Sequence, residues 1–513
     1  MVFAFVFLGI GMSKKNLSVA TLLTGLGTLM SRVLGLLRDV VFSAVLGTGE
    51  MMGTFVLALT VPNMSRRIFG EGALSASFLP LLSDELTESK SKAERFSGNI
   101  IAVQFLILSC LSILIGVGCV TLNFFIEEKQ LFWLIAAMLP YMVFICMTAL
   151  LSGILNLYHS FLLPSMSSMI LNILLIASAL LGSYLWTDQL LICWSLVGAV
   201  LMAGIIQAGM LYAYLLKKGF SPKWNFNWRH ESWQKVWTLF IPGVIGASVA
   251  QIGVASDRLI AGYLGRPSVA SLYFSERLVY LPVGLFGVAL GTVCLPMLSR
   301  AVSEGKWEEA YETLTRGVKI IFLLTIPCTL FFALYGEALL FLLFKRGQFT
   351  DESLAMTKLA LFCYIPGIPF FCLVKVLLPF YYAQKDVKTP LKIAWICLVM
   401  NVIVGLSLIP WLSHASLALA TSASSALNVT LLATHLKGEG KKEFRKSLKT
   451  LSVITFTAII SYIGIFLMMN ELKIENFGGV LFQLVSRFGF SGLVFLILVY
   501  IFGEKDLLKR LRR

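Results

Sequence analysis

The chain of 513 residues is 58% hydrophobic and only 13% charged, a composition that excludes an ordinary soluble globular protein. Its formal net charge is +15, but no stretch has the interleaved basic and aromatic residues of a nucleic-acid-binding domain. The apolar runs last about twenty residues or more, the length of a membrane-spanning helix and too long for the strands of a transmembrane barrel. We therefore predict an all-α polytopic membrane protein.

The first eleven residues form an apolar stretch that is too short to span a bilayer. No basic residue precedes the stretch, so it makes a poor secretory signal. Met12, which is followed by Lys14 and Lys15, resembles a more natural start. We interpret 1–16 as an N-terminal extension, and the sequence leaves both Met1 and Met12 open as the start of translation.

Breaks at glycine, proline and charge clusters divide the remaining chain into about fourteen transmembrane helices. In chain order the predicted spans are 17–46, 50–83, 96–122, 130–157, 163–186, 189–216, 233–264, 268–299, 309–335, 353–383, 390–410, 415–436, 447–470 and 478–502. Lysine and arginine are abundant on alternate connections, as at 217–235 and 437–449, and scarce on the others. The positive-inside rule then places both termini in the cytoplasm.

Two parts of the chain resemble each other in order and spacing. Residues 38–47 align with 256–265, 68–70 with 285–287, and 79–83 with 295–299. Six spans separate the copies, and an even number inserts both halves the same way up. The sequence therefore predicts two parallel-repeat six-helix lobes, a frame suited to alternating access, plus two C-terminal helices.

These predictions define the divisions of the chain. They are 1–16 for the extension, 17–217 for the N-lobe, 218–232 for a cytoplasmic connection, 233–437 for the C-lobe, 438–503 for the two C-terminal helices and 504–513 for a basic cytoplasmic tail.

Ionisable side chains interrupt the apolar spans in two regions. An ionised group at bilayer depth costs about 2.5–3.5 kcal/mol on insertion scales, so it usually faces a polar cavity and has a function there. Arginines outnumber acids in these regions, which suits an anionic ligand such as a diphosphate. The first region contains Arg32, Arg38, Asp39, Arg66, Arg67 and Glu71, and the second contains Asp257, Arg258, Glu276 and Arg277.

The first span places Arg38 on the same helix face as Ser31 and Gly35. A face of small residues borders either a cavity or a closely packed neighbouring helix. Arg32 and Asp39 are two turns apart and would line the same wall, although Arg32 would also suit a snorkelling position near a helix end.

Helix-breaking residues surround the charges of the second span. Pro62 removes a backbone hydrogen bond, and glycines on both sides of Glu71 loosen the helix again. We predict that Arg66 lies on a bent, gating helix and that Arg67 pairs with Glu71 four residues later. A purely structural ion pair is the alternative.

The eighth span repeats this arrangement, because Glu276 and Arg277 precede Pro282 and several glycines. Arginine suits phosphate because its planar fork binds two oxygens and its charge is never lost. We predict that Arg38, Arg66 and Arg277 converge on one diphosphate.

Three further polar residues form a weaker hypothesis. Asp257 would pair with a cation or with an arginine of the first lobe, and Asn401 and Thr421 would add oxygen ligands for sodium. Packing and hydrogen bonding between helices are the favoured explanation for Asn401 and Thr421.

Enzyme signatures do not occur in the sequence. There is no phosphate-binding loop, no aspartate cluster for magnesium, and no histidine with a recognisable nucleophile partner. We predict a transporter without a bound cofactor, driven by a coupling cation (sodium or proton) or by the membrane potential.

Four stretches resemble the MurJ (MviN-like) lipid II flippase family, in the multidrug/oligosaccharidyl-lipid/polysaccharide exporter superfamily. They are 31–39 (SRVLGLLRD), 62–80 (PNMSRRIFGEGALSASFLP), 276–296 (ERLVYLPVGLFGVALGTVCLP) and 384–394 (QKDVKTPLKIA). The resemblance implies a fourteen-helix flippase for the undecaprenyl-diphosphate-linked peptidoglycan precursor, lipid II. It would act in the bacterial cytoplasmic membrane, with membrane lipids and the cell-wall synthesis machinery as partners.

The resemblance also implies site residues. The cavity arginines of the family fall on Arg32, Arg38, Arg66 and Arg277, its first-span acid falls on Asp39, and its lipid-tail groove falls on 438–503. Some relatives have acids at two positions where this chain has Gly53 and Tyr280. The alternatives are a flippase for another polyprenyl-linked oligosaccharide, a drug/cation antiporter of the same superfamily, or a non-transporting membrane scaffold.

Overall fold

The computed structural model describes residues 15–70, 73–125, 129–226, 232–436, 440–468 and 477–501, and most of these residues lie in helices. Within those ranges there is no strand. The prediction of an all-α protein is therefore confirmed. The extension 1–14 and the tail 504–513 lie outside the described residues, as does Glu71.

The chain forms two units, and the first comprises Lys14–Ala270 together with Arg346–Phe349. Its helices are α1 (Lys15–Leu46), α2 (Glu50–Ser65), α3 (Ala73–Glu88), α4 (Lys90–Leu122), α5 (Lys129–Leu157), α6 (Leu162–Leu185), α7 (Gln189–Lys217), α8 (Ser232–Tyr263) and the first residues of α9 (Arg266–Pro282).

The second unit comprises Ser271–Lys345 and the chain from Thr350 onward. Its helices are the remainder of α9, then α10 (Val288–Ser303), α11 (Trp307–Phe344), α12 (Asp351–Tyr364), α13 (Ile368–Ala383), α14 (Lys388–Ser407), α15 (Ile409–Leu412), α16 (Ala415–Thr434), α17 (Gly440–Met468) and α18 (Phe477–Ile501).

Twelve helices in the described chain are long and apolar enough to cross a membrane. They correspond to the third through fourteenth predicted spans, and they make this a multi-pass membrane protein. The first two predicted spans are present as α1 and as α2 with α3, but these helices are not among the twelve. The count of fourteen therefore stays a prediction.

The helix contacts inside each unit support the predicted repeat. In the first unit α3 packs on α5, α5 packs on α7, and α6 packs on α7. In the second unit α10 packs on α13, α13 packs on α16, and α14 packs on α16, which are the corresponding pairs. The two halves thus share a packing plan as well as sequence landmarks.

A π-helical turn interrupts the corresponding helix of each unit. The turns are Arg66–Gly70 after α2 and Val283–Gly287 after α9, and the aligned glycines end both of them. A Cβ added to Gly70 would lie 3.4 Å from Cys146 Cα, and one added to Gly287 would lie 3.0 Å from Cys372 Cα. Each glycine lets the interrupted helix approach its neighbour closely, as the predicted helix breaks required.

Helix α8 belongs to the first unit by its contacts, because it packs against α3 and α2. The sequence repeat instead assigns α8 to the predicted C-lobe, 233–437. The repeat compares sequence landmarks, whereas the units are defined by which helices pack together. The predicted lobe boundaries stay predictions.

The two C-terminal helices pack on α11 of the second unit. Leu323 on α11 forms an apolar cluster with Ile454 and Tyr462 on α17 and with Phe495 and Val499 on α18. Burial of such side chains contributes about 1.5–3 kcal/mol each in water, and a smaller net amount in lipid, where packing replaces the hydrophobic effect. This packing places α17 and α18 in the second unit.

A short connection, Arg346–Phe349, packs against the end of α1 through two glycines. Gln348 N donates to Ala44 O at 2.9 Å. Gly47 and Gly347 have φ values of +60° and +56°, and an added Cβ would lie 2.3 Å from Gln348 O and 2.1 Å from Ala44 O, respectively. Only glycine fits both the backbone conformation and the space.

We predict that Gly47→Ala and Gly347→Ala each lower the midpoint of thermal unfolding in detergent. The left-handed backbone alone costs about 1–2 kcal/mol for a non-glycine residue, and displacement of the opposing carbonyl adds to that cost. The matched control is Gly305→Ala, because Gly305 has φ +73° but open space around its Cβ position. If Gly347→Ala were no less stable than Gly305→Ala, the close packing of this connection would be contradicted.

Candidate functional site

The small-residue face of α1 packs against α6. Ser31 Oγ lies 2.7 Å from Ser168 Oγ, and Asn172 Nδ2 donates to Ser31 O at 3.2 Å. A Cβ on Gly35 would lie 3.8 Å from Asn172 Nδ2. This face was predicted to border either a cavity or a close helix, and in the structure it packs against a neighbouring helix.

Arg38 is held inside the first unit by a carboxylate and an amide. Its Nε and Nη2 donate to Asp39 Oδ1 at 3.0 and 2.7 Å, and its Nη1 donates to Asn172 Oδ1 at 3.0 Å. Arg38 is 9% exposed and Asp39 is 2% exposed, so water screens the pair weakly. The guanidinium also lies 5.7 Å from the ring centre of Phe42.

This arrangement changes what Arg38 can do chemically. An anion that binds Arg38 must share it with Asp39 or replace Asp39, because two of its nitrogens already donate to that carboxylate. A diphosphate, with two negative charges and several acceptor oxygens, competes well with a single carboxylate for one guanidinium. Binding of Arg38 to a diphosphate stays a prediction.

Sequence reasoning found Arg38 and Asp39 but missed Asn172. The available signal was a lone amide within the otherwise apolar span 163–186. Such a residue is costly in a lipid-facing helix unless it has a partner.

The other basic residues of the first unit differ in exposure. Arg32 and Arg67 are exposed, and Arg66 is half-buried at the start of the π-helical turn. Arg258 is buried, and its Nη1 lies within 3.3 Å of Val269 O, so it ties α8 to the start of α9. The predicted pairing of Arg67 with Glu71 cannot be compared with the structure, since Glu71 lies outside the described residues.

In the second unit two polar contacts fix the orientation of α9 against α12. Ser275 Oγ lies 2.9 Å from Thr357 O, and Tyr364 Oη donates to Glu276 Oε1 at 3.1 Å. Glu276 therefore faces α12, as an acceptor for the phenol of Tyr364.

Arg277 follows on a different face of α9, and its side chain is exposed. Its Cζ lies 4.3 Å from the ring centre of Tyr273, one helical turn earlier. A cation over an aromatic face gains about 0.5–1 kcal/mol at an exposed site, which orients the guanidinium without covering it. The residue is thus oriented on the surface of its unit.

The predicted site residues fall into both units. Arg32, Arg38, Asp39, Arg66, Arg67 and Asp257 belong to the first, and Glu276, Arg277, Asn401 and Thr421 belong to the second. The convergence of Arg277 with Arg38 and Arg66 stays a prediction, as does a sodium site that includes Asp257.

The structure brings Asn401 and Thr421 together, with Asn401 Nδ2 donating to Thr421 Oγ1 at 3.2 Å. That contact joins α14 to α16, as the hypothesis of hydrogen bonding between helices predicts. Among the described residues, no group of three or more histidine, cysteine or acidic side chains forms a cluster fit for a metal.

The two positions that depart from some relatives are packing positions in this chain. A Cβ on Gly53 would lie 2.1 Å from Arg266 O, so an acid there would displace the start of α9. The ring of Tyr280 stacks on Phe371 of α13, with centroids 6.0 Å apart and planes inclined by 19°.

Comparison with solved structures identifies the class of protein. A multidrug resistance MATE family transporter of the MOP superfamily, in an inward-facing conformation, superposes with a TM-score of 0.61 over 84% of this chain and 98% of its own, at 13% identity. A structure titled lipid II flippase MurJ, inward closed conformation, superposes with a TM-score of 0.78 over 95% of this chain and 100% of its own, at 25% identity. The fold is that of a membrane transporter.

Sequence comparison then shows the family. The family model described as lipid II flippase MurJ matches residues 42–486. A probable lipid II flippase MurJ of Vibrio cholerae is 33% identical over 83% of this chain and 84% of its own length. A lipid II flippase MurJ of Burkholderia cenocepacia is 31% identical, over 83% and 84%. The chain belongs to the lipid II flippase MurJ family, and it is a transporter, not an enzyme.

We predict that the Arg38–Asp39 pair shows strong energetic coupling. Arg38→Leu or Asp39→Leu alone leaves a buried charge without its partner, a loss of about 3–5 kcal/mol, while the double variant recovers much of that stability. Thermal unfolding of the four proteins in detergent measures the coupling.

The control for this cycle is the exposed pair Lys92–Glu88, at 2.8 Å with both side chains more than half exposed. Surface pairs contribute about 0–1 kcal/mol. We expect additive losses of stability at Lys92 and Glu88. Additive losses of stability at Arg38 and Asp39 would contradict the predicted coupling of the buried pair.

Proposed function

We propose that this chain moves lipid II from the inner to the outer leaflet of the bacterial cytoplasmic membrane, and that its intramembrane arginines hold the diphosphate during transfer. The observation that carries the proposal is the family match over 42–486, which includes Arg66 and Arg277 in their charged motifs. The curated relatives described above are named lipid II flippases.

Charge supports the same cargo. A diphosphate diester carries two negative charges that must cross a medium of low dielectric constant. Arg32, Arg67 and Arg277 are exposed on the surfaces of their units, where a guanidinium can replace water around the phosphate oxygens. The polyprenyl tail stays in lipid, so the protein has only the headgroup to shelter.

The proposed cycle gives Arg38 and Asp39 a switching role. Without cargo, Asp39 neutralises Arg38; with cargo, the diphosphate takes over Arg38, and the charge of Asp39 is left for a coupling cation, sodium or proton. The membrane potential would act on the same step, since one charge moved through 100 mV corresponds to about 2.3 kcal/mol. In the proposed topology both termini lie in the cytoplasm, because basic residues are concentrated on the connections assigned to that side.

The other candidates have less support. A drug/cation antiporter rests on the fold alone, because the compared MATE transporter is 13% identical. A flippase for a different polyprenyl-linked oligosaccharide would use the same arginines, but the named relatives point to lipid II.

Complementation tests the proposed function. In a bacterium depleted of its own lipid II flippase, we expect the wild-type chain to restore growth and Arg277→Ala and Arg38→Ala to lower plating efficiency by several orders of magnitude. Arg316→Ala is the control, because Arg316 is exposed in the same unit as Arg277 and pairs with Glu312 at 2.8 Å. Full restoration of growth by both variants, at matched expression, would show that Arg38 and Arg277 are not required for transport.

A further inference from the structure

The π-helical turn Val283–Gly287 lies in the same candidate membrane span as Arg277, Arg266–Ser303. A π-helical turn winds more residues into one turn than an α-helix does, so backbone groups at its ends change partners. In the hydrocarbon region those groups must find partners inside the protein, because water is absent there. The side chains that contact this turn therefore affect its stability.

One side chain of α13 contacts both ends of the turn. The thiol of Cys372 donates to Pro282 O, the carbonyl directly before the turn, with a sulfur-to-oxygen distance of 3.9 Å. A Cβ added to Gly287, the last residue of the turn, would lie 3.4 Å from the same sulfur. Cys372 is fully buried. Its sulfur thus lies beside the beginning and the end of the π-helical turn.

The size and the chemistry of cysteine suit this position. A Cβ added to Gly287 would lie only 3.0 Å from Cys372 Cα, so the side chain at position 372 must be small. A thiol is small and polarisable, and it is a weak hydrogen-bond donor. Alanine would fit the same space without a donor, whereas serine would fit and would donate.

The first unit has a cysteine at the equivalent contact. Gly70 ends the π-helical turn Arg66–Gly70, and a Cβ added to it would lie 3.4 Å from Cys146 Cα on α5. Cys146 is also fully buried. Helices α5 and α13 occupy corresponding places in the two units. Contact between a cysteine and the glycine that ends the turn therefore recurs in the repeat.

We propose that Cys372 is a positioning residue for transport. Its thiol stabilises the π-helical turn of the second unit, and through that turn it orients the segment of α9 that carries Arg277. This inference rests on the function proposed above. Hydrogen bonds to α12 fix α9 at Ser275 and Glu276, and Gly287 packs the end of the turn against α13. The turn connects these two fixed parts, and Cys372 holds it in one arrangement.

The proposal predicts an effect on the rate of transport and none on the binding of cargo. Without the thiol, the turn can adopt other hydrogen-bonding patterns, and the segment with Arg277 takes several orientations relative to α10. The guanidinium can still bind an anion in these orientations. Movement of the cargo across the membrane, however, requires the parts of the helix before and after the turn to move together.

Hydrogen exchange on the full chain in nanodiscs measures the stability of the turn. We expect Cys372→Ala to speed exchange of the amides of 283–288 about threefold to tenfold, as for the loss of one hydrogen bond. Cys372→Ser keeps a donor and should restore slow exchange. The amides of 66–70 are an internal control, because that turn belongs to the first unit.

Transfer of fluorescent lipid II in reconstituted vesicles measures the positioning role. We expect Cys372→Ala to lower the initial rate of transfer by a similar factor, with the affinity for lipid II unchanged, and Cys372→Ser to restore the rate. Cys397→Ala is the matched control for loss of a buried sulfur, because Cys397 is 4% exposed in the same unit and lies on α14, outside the turn.

Three results would overturn the inference. The first is exchange at 283–288 that is the same in Cys372→Ala as in Cys397→Ala. The second is faster exchange with an unchanged rate of transfer, and the third is a Cys372→Ser variant that behaves like Cys372→Ala. If the wild-type chain transfers no lipid II, the proposed function fails, and the exchange measurement alone decides whether Cys372 stabilises the turn.

Discussion

The cost of placing ionised groups among apolar helices governs how this protein is built. Arg38 is buried with Asp39 at 2.7 Å and Asn172 at 3.0 Å, so the first unit carries a neutral, hydrogen-bonded cluster where a lone charge would be expelled. Arg277 is treated differently, because it is exposed and rests on Tyr273. Arg38 is thus buried with its partners, whereas Arg277, like Arg32 and Arg67 of the first unit, lies on the surface of its unit.

Helix interruptions stand beside these charges in both units. The π-helical turns Arg66–Gly70 and Val283–Gly287 release backbone groups that the chain must satisfy again, and Gln104 Nε2 lies 3.5 Å from Phe69 O in the first of them. Gly70 and Gly287 pack against a neighbouring helix at the same point of the repeat. The charged residues and the π-helical turns are therefore neighbours along the chain in both units.

Much of the fold could be predicted because it depends on local pattern. Span lengths, the repeat and the helix breaks all follow from apolar runs and from glycine and proline. The partners of the charged residues were harder to predict. Adjacent residues do not face each other on a helix, yet the long side chain of Arg38 reaches the carboxylate of Asp39 beside it. The hydrogen bond of Arg38 to Asn172 and the packing of α8 on α3 are tertiary contacts, and the periodicity of the sequence does not indicate them.

Lipid II exposure at the outer leaflet is the most direct test of the central claim. In cells depleted of their own flippase, a membrane-impermeant enzyme that cleaves lipid II measures the accessible fraction. Expression of this chain should raise that fraction to the level of undepleted cells, and the Arg277→Ala variant should leave it low. Equal accessibility with the wild-type chain, with Arg277→Ala and with an empty vector would contradict the account.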